Sequence, residues 1–431
     1  MIRFVDWPEQ ALPAREAAAA ADVSADVAAI LAEVRQRGDA ALRDYTKRFD
    51  GADLTILEVD RAEMEKAVAE TDPDFLRILR RAADNIRTFH ELQRHEGFEM
   101  RRDDGVVMGQ RILPLERVGL YIPGGTACYP SSVLMNCIPA KIAGVRELIL
   151  VTPPRKDGSV SSDILAAALI GGADRVFRIG GAQAVAALAF GTESVPRVDK
   201  IVGPGNAYVA EAKRQVFGQV AIDMIAGPSE ILIVADEDND PAILAADLLS
   251  QAEQDKNAAA ILATPSRALA KAVQAEVERQ LALLPRSEIA RVSIDKNGLI
   301  VLTNSLEDAV EVSNLLAPEH LELCVSDPFK YLKLVRAAGS VFLGKTCPEA
   351  LGDYMAGPNH VLPTGGSARF SSALGVEDFL VRSQYSYFTP EAFADLAGDV
   401  AGFAEREGLQ AHARSALIRV EREQKKERES K

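Results

Sequence analysis

Between residues 118 and 344 short apolar runs alternate with helical stretches, and this alternation restricts the fold more than any other feature. The runs are VGLYIPGG (118–125), ELILVTPP (147–154), RVFRIGGAQA (175–184), KIVGPGN (200–206), ILIVAD (231–236), GLIVLTN (298–304), HLELCV (320–325) and GSVFLG (339–344). Most of them close on a Gly or Pro turn. Strands that alternate with helices build a parallel sheet covered on both faces. The expected fold class is therefore α/β.

The flanks read differently. Residues 25–48 and 60–95 are rich in Ala, Leu, Arg and Glu at helical spacing. Asp72-Pro73 supplies an N-cap followed by the residue best suited to the first helical position. From about residue 375 the chain reads as helical again and ends in the charged run EREQKKERESK, a solvated tail. A chain of 431 residues is long for one core. The natural cuts fall near 120 and 230. They leave an N-terminal segment (1–17), a first α/β domain built from 18–120 with 231–374, a second α/β domain (121–230) and a C-terminal tail (375–431).

The formal net charge is −14, which argues against nucleic acid or an anionic membrane surface as the main partner. No run reaches the roughly 18 apolar residues of a membrane span, and the start, MIRFVDWPEQ, has no signal-peptide pattern. The four cysteines form no CxxC pair, which fits reduced thiols and a cytoplasmic location.

Several motifs offer chemistry. YIPGGTACYPSS and IVGPGNAYV are glycine-rich turns between a strand and a helix, where backbone N–H groups can hold phosphate. Neither is the GxGxxG dinucleotide fingerprint, and a tight turn of an ordinary α/β protein is their simplest reading. LAPEHLELCV sets Glu319 beside His320 just before a strand. A histidine can take an alcohol proton near neutrality, and a neighbouring carboxylate can activate water. ALGDYMAGPNHVLPTGG places Asp353 and His360 in a Gly/Pro-rich loop, and AEREGLQAHARS places Glu407 and His412 five apart on a C-terminal helix. His90 and His95 read as surface. Asp240-Pro241 opens a helix running to about residue 254, with Gln251 and Gln254 as neighbouring amides near its end. Taken alone, those amides read as solvent-facing.

In this order, AIDMIAGPSEILIVAD, AADLLSQAE, LLAPEHLELCV, GDYMAGPNHVLPTGG and GLQAHA closely resemble the histidinol dehydrogenase family. So do VRQRGDAALRDYTKRFDG, RVGLYIPGGTA, GGAQAVAALAFGTESVP and VGPGNAYVAEAKRQV, and the resemblance runs from about residue 30 to 420. It implies two Rossmann-like, doubly wound domains without the glycine fingerprint. It also implies a homodimer in which the C-terminal tail crosses to the other subunit. The activity it implies is oxidation of L-histidinol to L-histidine in two NAD-dependent steps through the aldehyde. His320 would take the alcohol proton, and Glu319 would activate the water that attacks the aldehyde. One Zn2+ would hold the substrate through Gln251, Gln254, Asp353 and His412. Substrate contacts would come from Ser229, Gln251, Glu319, His320, Asp353, His360, Glu407 and His412. NAD would lie along Tyr121, Gln183 and Asn206.

One position departs from the family pattern: the motif SQAEH reads SQAEQ here, so Gln254 stands where the family has a metal-binding histidine. Three consequences compete. The zinc site is weakened, because an amide is a poorer ligand than imidazole. The protein binds NAD or substrate without turning it over. The site serves another alcohol, as in a sulfopropanediol dehydrogenase-like relative. The first is favoured, because Glu319, His320, Asp353, His360, Glu407 and His412 are all retained.

Overall fold

The structure is a computed structural model that describes residues 2–12, 23–124, 128–225 and 227–429. Gly125, Thr126 and Ala127 of the first glycine-rich turn, and the boundary expected at residue 17, lie outside the described residues. The strands in chain order begin with β1 (Arg3–Asp6), β2 (Glu58–Val59), β3 (Phe98–Arg101), β4 (Val107–Pro114) and β5 (Arg117–Tyr121). They continue with β6 (Glu147–Thr152), β7 (Arg175–Arg178), β8 (Lys200–Val202), β9 (Ala221–Ile222) and β10 (Glu230–Ala235). The last are β11 (Ala259–Thr264), β12 (Leu299–Leu302), β13 (His320–Cys324), β14 (Ser340–Leu343) and β15 (Leu380–Tyr387).

Two six-stranded sheets carry the α/β part, ordered β2-β7-β6-β5-β8-β9 and β1-β12-β11-β10-β13-β14. They share one plan. The first strand of each set, β5 or β10, is central; the next two lie on one side of it and the last two on the other. This is the doubly wound arrangement, with a switch point between β5 and β8 and another between β10 and β13. Every pairing is parallel except the antiparallel addition of β2 to β7. The central strands β5 and β10 are apolar and buried along almost their whole length, as a sheet covered on both faces demands.

The N-terminal block divides between the two sheets, which corrects the domain cut expected from the sequence. Arg3–Asp6 pairs with β12 as an edge strand of the sheet of 230–343. Residues 23–57 pack elsewhere: Val27, Ile30, Leu31, Val34 and Leu42 share a core with Phe177 and Ile201 of the other sheet and with Val185 of the helix Gly181–Phe190. The helix Pro73–Glu91 is capped by Asp72, as its sequence predicts, and packs on the helix Pro130–Ala143 that follows β5. Its His90 is fully buried, not a surface residue, and Nδ1 pairs with Gln93 Oε1 at 2.7 Å.

The GPGN turn after β8 is fixed from below. Gly203 adopts a φ of +110°, which an L side chain rarely tolerates. Its N–H donates to Asp223 Oδ2 (2.8 Å), and Lys213 donates to its carbonyl (3.0 Å). Lys213 and Asp223 form a buried ion pair.

Residues 95–114 with 380–431 form a second compact unit, distinct from the unit that holds both large sheets. The smaller unit contains the antiparallel sheet β15-β4-β3, with β15 and β4 paired over eight residues, and two helices, Pro390–Arg406 and Gln410–Glu429. The segment after residue 375 is therefore not helical throughout. It opens with a 3-10 turn, Val376–Phe379, and then the strand β15. Among the described residues no helix is long and apolar enough to cross a membrane.

Candidate active site

The site gathers at the amino ends of β10, β13 and β14, the edge opposite to the one where doubly wound sheets usually take ligands. The helix Leu306–Leu316 ends in Ala317, whose φ of +47° makes it the one non-glycine residue with positive φ among those described. Pro318 follows and blocks any continuation of the helix. The chain turns there and delivers Glu319 and His320 to the start of β13.

One residue orients both of them. The Glu230 N–H donates to Glu319 Oε2 (2.8 Å), and the Glu230 carbonyl accepts from His320 Nδ1 (3.0 Å). A carbonyl can only accept, so Nδ1 carries the proton and Nε2 carries the lone pair. Nε2 is buried, without a partner, and 4.0 Å from Asp353 Oδ1. Phe342 stacks on the ring. Burial lowers the His320 pKa, the nearby Asp353 charge opposing it. Burial raises the Glu319 pKa well above the usual carboxylate range, with the Glu230, Asp353 and Glu349 charges adding to it and the Glu230 N–H working against it. The outcome is a neutral imidazole with a free nitrogen beside a carboxyl of high proton affinity.

Asp353 lies on the short helix Glu349–Tyr354, one turn after Glu349. Its backbone carbonyl accepts from His360 Nδ1 at 3.0 Å, which leaves His360 Nε2 to accept from the Ser132 hydroxyl at 3.1 Å. Ser132 begins the helix after β5, so the carboxyl edge of the β5 sheet abuts the amino edge of the β10 sheet here. Glu349 is buried and accepts from Ser250 Oγ (2.8 Å). Burial first, then the Asp353 charge, pushes its pKa up to about 8. Ser229, half-buried, immediately precedes β10.

The helix carrying Gln251 runs from Pro241 to Ala252, capped by Asp240. Gln251 is fully buried, and neither atom of its amide has a partner, so the surface reading of this residue is corrected. The helix stops before Gln254, which is exposed in the following turn with its N–H on the Gln251 carbonyl.

A metal ion fits these residues. His320, Glu349 and Asp353 bring ligand atoms within 4.8 Å of one another, and the buried Gln251 amide has no hydrogen-bond partner of its own. Glu407 and His412 belong to the smaller unit. Glu407 caps the helix Pro390–Arg406 and His412 sits in the first turn of the next, with Gly408 between them, and both are exposed. The single helix expected for the pair is thus two helices.

Tyr121, Gln183 and Asn206 line the carboxyl edge of the β5 sheet. Tyr121 ends β5 and its hydroxyl accepts from the Gly181 N–H (3.0 Å). Burial raises its pKa to about 12. Gln183 lies in the first turn of the helix Gly181–Phe190, buried, with Oε1 unpartnered. Asn206 caps the helix Ala207–Val216 through Oδ1.

Glu230 and Glu349 escaped the sequence reading. Glu349 carried a signal, a carboxylate one helical turn before Asp353. Glu230 carried none, because it acts through its main chain. The buried Glu322, which accepts the Glu349 N–H at 2.7 Å, was visible as a lone charge inside an apolar strand.

Two doubly wound sheets meeting at a buried, oriented acid–base pair define an α/β enzyme built for proton transfer beside a nucleotide-type sheet edge. The family model for histidinol dehydrogenase matches residues 13–420. The histidinol dehydrogenase of Geobacillus kaustophilus is 53% identical over 91% of this chain and 93% of its own. That of Syntrophotalea carbinolica is 56% identical over 92% and 93%. A crystal structure of histidinol dehydrogenase from Elizabethkingia anophelis superposes with a TM-score of 0.89 at 37% identity, covering 95% of this chain and 94% of that one. The chain belongs to the histidinol dehydrogenase family and is an oxidoreductase.

Proposed function

We propose that the protein oxidises L-histidinol to L-histidine through L-histidinal, with NAD taking two electrons in each step, as the last reaction of histidine synthesis. The observation that carries this reading is the fixed, unprotonated Nε2 of His320. In the first step that nitrogen takes the alcohol proton as the carbon gives up hydride. In the second, Glu319 takes a proton from water as it adds to the aldehyde carbon. The protonated His320 returns its proton to the aldehyde oxygen as the hydroxide adds, and the hydrate then gives that hydroxyl proton back to His320 as the second hydride leaves. Desolvation makes an ionised Glu319 a stronger base than an exposed carboxylate, and it keeps His320 neutral with its Nε2 lone pair free to accept a proton.

Gln251 and Asp353 would hold zinc together with Gln254 and His412, and the bound ion would supply a fixed positive charge that seats the substrate's imidazole and amino nitrogens. Ser229, His360 and Glu407 contact the substrate in this reading. Tyr121, Gln183 and Asn206 line the cofactor, supported by the unpartnered Gln183 Oε1. The smaller unit exposes Phe98, Met100, Tyr387 and Phe403, an apolar surface that suits a homodimer whose tail supplies His412 to the partner. Four free cysteines suit a cytoplasmic enzyme.

The test is NADH formation from L-histidinol by purified protein, with added zinc and with a chelator. Turnover that rises with zinc and is stripped by the chelator supports a working site with Gln254 in place. The variant His320→Asn is expected to lose about 10²- to 10⁴-fold in kcat while its circular dichroism spectrum stays that of the parent. Turnover that survives this change overturns the assignment of the base. Faster oxidation of another alcohol overturns the substrate.

A further inference from the structure

Asp50 has no role in the reaction as described, yet its position is hard to explain without a ligand. It closes the helix Asp39–Phe49. The start of that helix is tied to the far end of the helix Gly181–Phe190: Asp39 accepts from Thr192 Oγ1 (2.6 Å) and from the Ser194 hydroxyl. The two helices pack together, so the first runs back along the second, and its last residue reaches the end where Gly180, Gly181 and Gln183 lie. Asp50 is close enough for its charge to act on the Tyr121 phenol.

The polar atoms there are unbalanced. Asp50 Oδ2 is shielded from solvent and has no hydrogen-bond partner. Gln183, 1% exposed, leaves Oε1 in the same state. That oxygen lies 2.6 Å from where a side chain on Gly181 would begin, and the Gly181 N–H is held by the Tyr121 hydroxyl. Two buried acceptors therefore converge on one sheet edge without a donor. Buried acceptors without donors are costly and uncommon in folded proteins. A vicinal diol offers two O–H donors at the spacing of one C–C bond. A phosphate offers none, and a second negative charge beside Asp50 is repelled.

We propose that Asp50, with Gln183, accepts hydrogen bonds from the ribose diol in the adenosine half of the dinucleotide, and that this carboxylate makes the enzyme select NAD over its 2′-phosphorylated form. The adenosine half is assigned because the chain just after Asp50 lies on the β6–β7 side of the switch point: a side chain on Gly51 would meet Lys156 of the loop after β6, and the Leu57 carbonyl accepts from the Arg178 N–H of β7. The carboxylate comes from a helix C-terminus and not from the end of the second strand, where doubly wound nucleotide sites usually place it. Its raised pKa, about 6 through burial alone, is that of a carboxyl with no cation beside it. The inference rests on the NAD-dependent reading above.

The experiment compares the full-length parent with Asp50→Ala and the near-isosteric Asp50→Asn. NAD binding is measured by calorimetry without substrate, and steady-state kinetics are run with NAD and with NADP. The expected result is a loss of NAD affinity of about 10- to 100-fold in Asp50→Ala. The KM for NAD rises in step, and kcat at saturating NAD stays within about twofold. The NADP-to-NAD ratio of kcat/KM rises by about tenfold or more in both variants as the repulsion is removed. Melting temperature should not fall, because an uncompensated carboxylate is being removed. Unchanged NAD affinity in both variants, with a parent that binds NAD, overturns the Asp50 assignment alone. A lower melting temperature with unchanged affinity does the same, since it marks a structural residue. A parent that neither binds nor reduces NAD overturns the functional reading and this proposal together.

Discussion

A histidine whose Nδ1 is tied to a main-chain carbonyl has one nitrogen left for chemistry, and a carboxyl deprived of water clings to its proton. In the proposed mechanism these two facts divide the labour between His320 and Glu319. Glu319 can take a proton from water only when ionised. Its folded-state pKa is raised, so it is protonated below that value and becomes competent as pH rises through it. Oxidation of supplied L-histidinal should therefore be slow in acid and climb along a limb set well above the usual carboxylate range. Glu319→Gln should reduce aldehyde oxidation by about 10²- to 10⁴-fold, leave the first oxidation less affected, and abolish that limb. Rapid-quench detection of accumulated aldehyde from L-histidinol separates the two steps, and a variant that oxidises L-histidinal at the parent's rate would remove Glu319 from the mechanism. The pair itself was legible as adjacent letters before a strand. Glu230, which aims both, was not, because every residue has an N–H and a C=O and only the register Ile231↔His320 decides which are used.

At the scale of elements, periodicity located the helices well and their ends less well. Asp72-Pro73 and Asp240-Pro241 both cap helices where the sequence placed them. The second helix, however, stops at Ala252, and with it fails the argument that Gln251 and Gln254 share a helical face. Gln251 falls on the buried side with Leu244 and Leu248, which polar identity alone could not reveal. The short helix Glu349–Tyr354 carries a stability consequence. Glu349 is raised from 4.5 to about 8 by burial and by Asp353. A carboxyl with a raised folded-state pKa stabilises the fold fully below its unfolded value. That contribution is lost as pH climbs through the folded one. Metal-free protein should therefore lose melting temperature between about pH 4.5 and pH 8, and Glu349→Gln should lose less over that window. Melting curves in chelator across the range decide it; parallel profiles for the two proteins would mean that Glu349 is not the group responsible.

At the scale of the whole molecule, the alternation of strands and helices was legible and the allegiance of the N-terminal block was not. Residues 23–57 could have covered either sheet on hydrophobicity alone, and the choice depends on which apolar faces are complementary in three dimensions. The smaller unit was missed for a different reason. β3 and β15 are exposed along nearly every residue, so neither shows the alternation of a half-buried strand. In the proposed homodimer, the exposed strands and the exposed Phe98 and Phe403 of this unit would be the apolar surface open to a second copy. If His412 serves the partner's site, two dead proteins can repair each other. In a heterodimer of His320→Asn with His412→Asn subunits, one site pairs a body lacking nothing with a tail lacking nothing. The other site carries both defects. Random exchange makes half the dimers mixed, so an equal mixture should recover about one quarter of parental activity after subunit exchange. A tail that serves its own body leaves every site in the mixture with one defect, and the mixture then stays as inactive as its components.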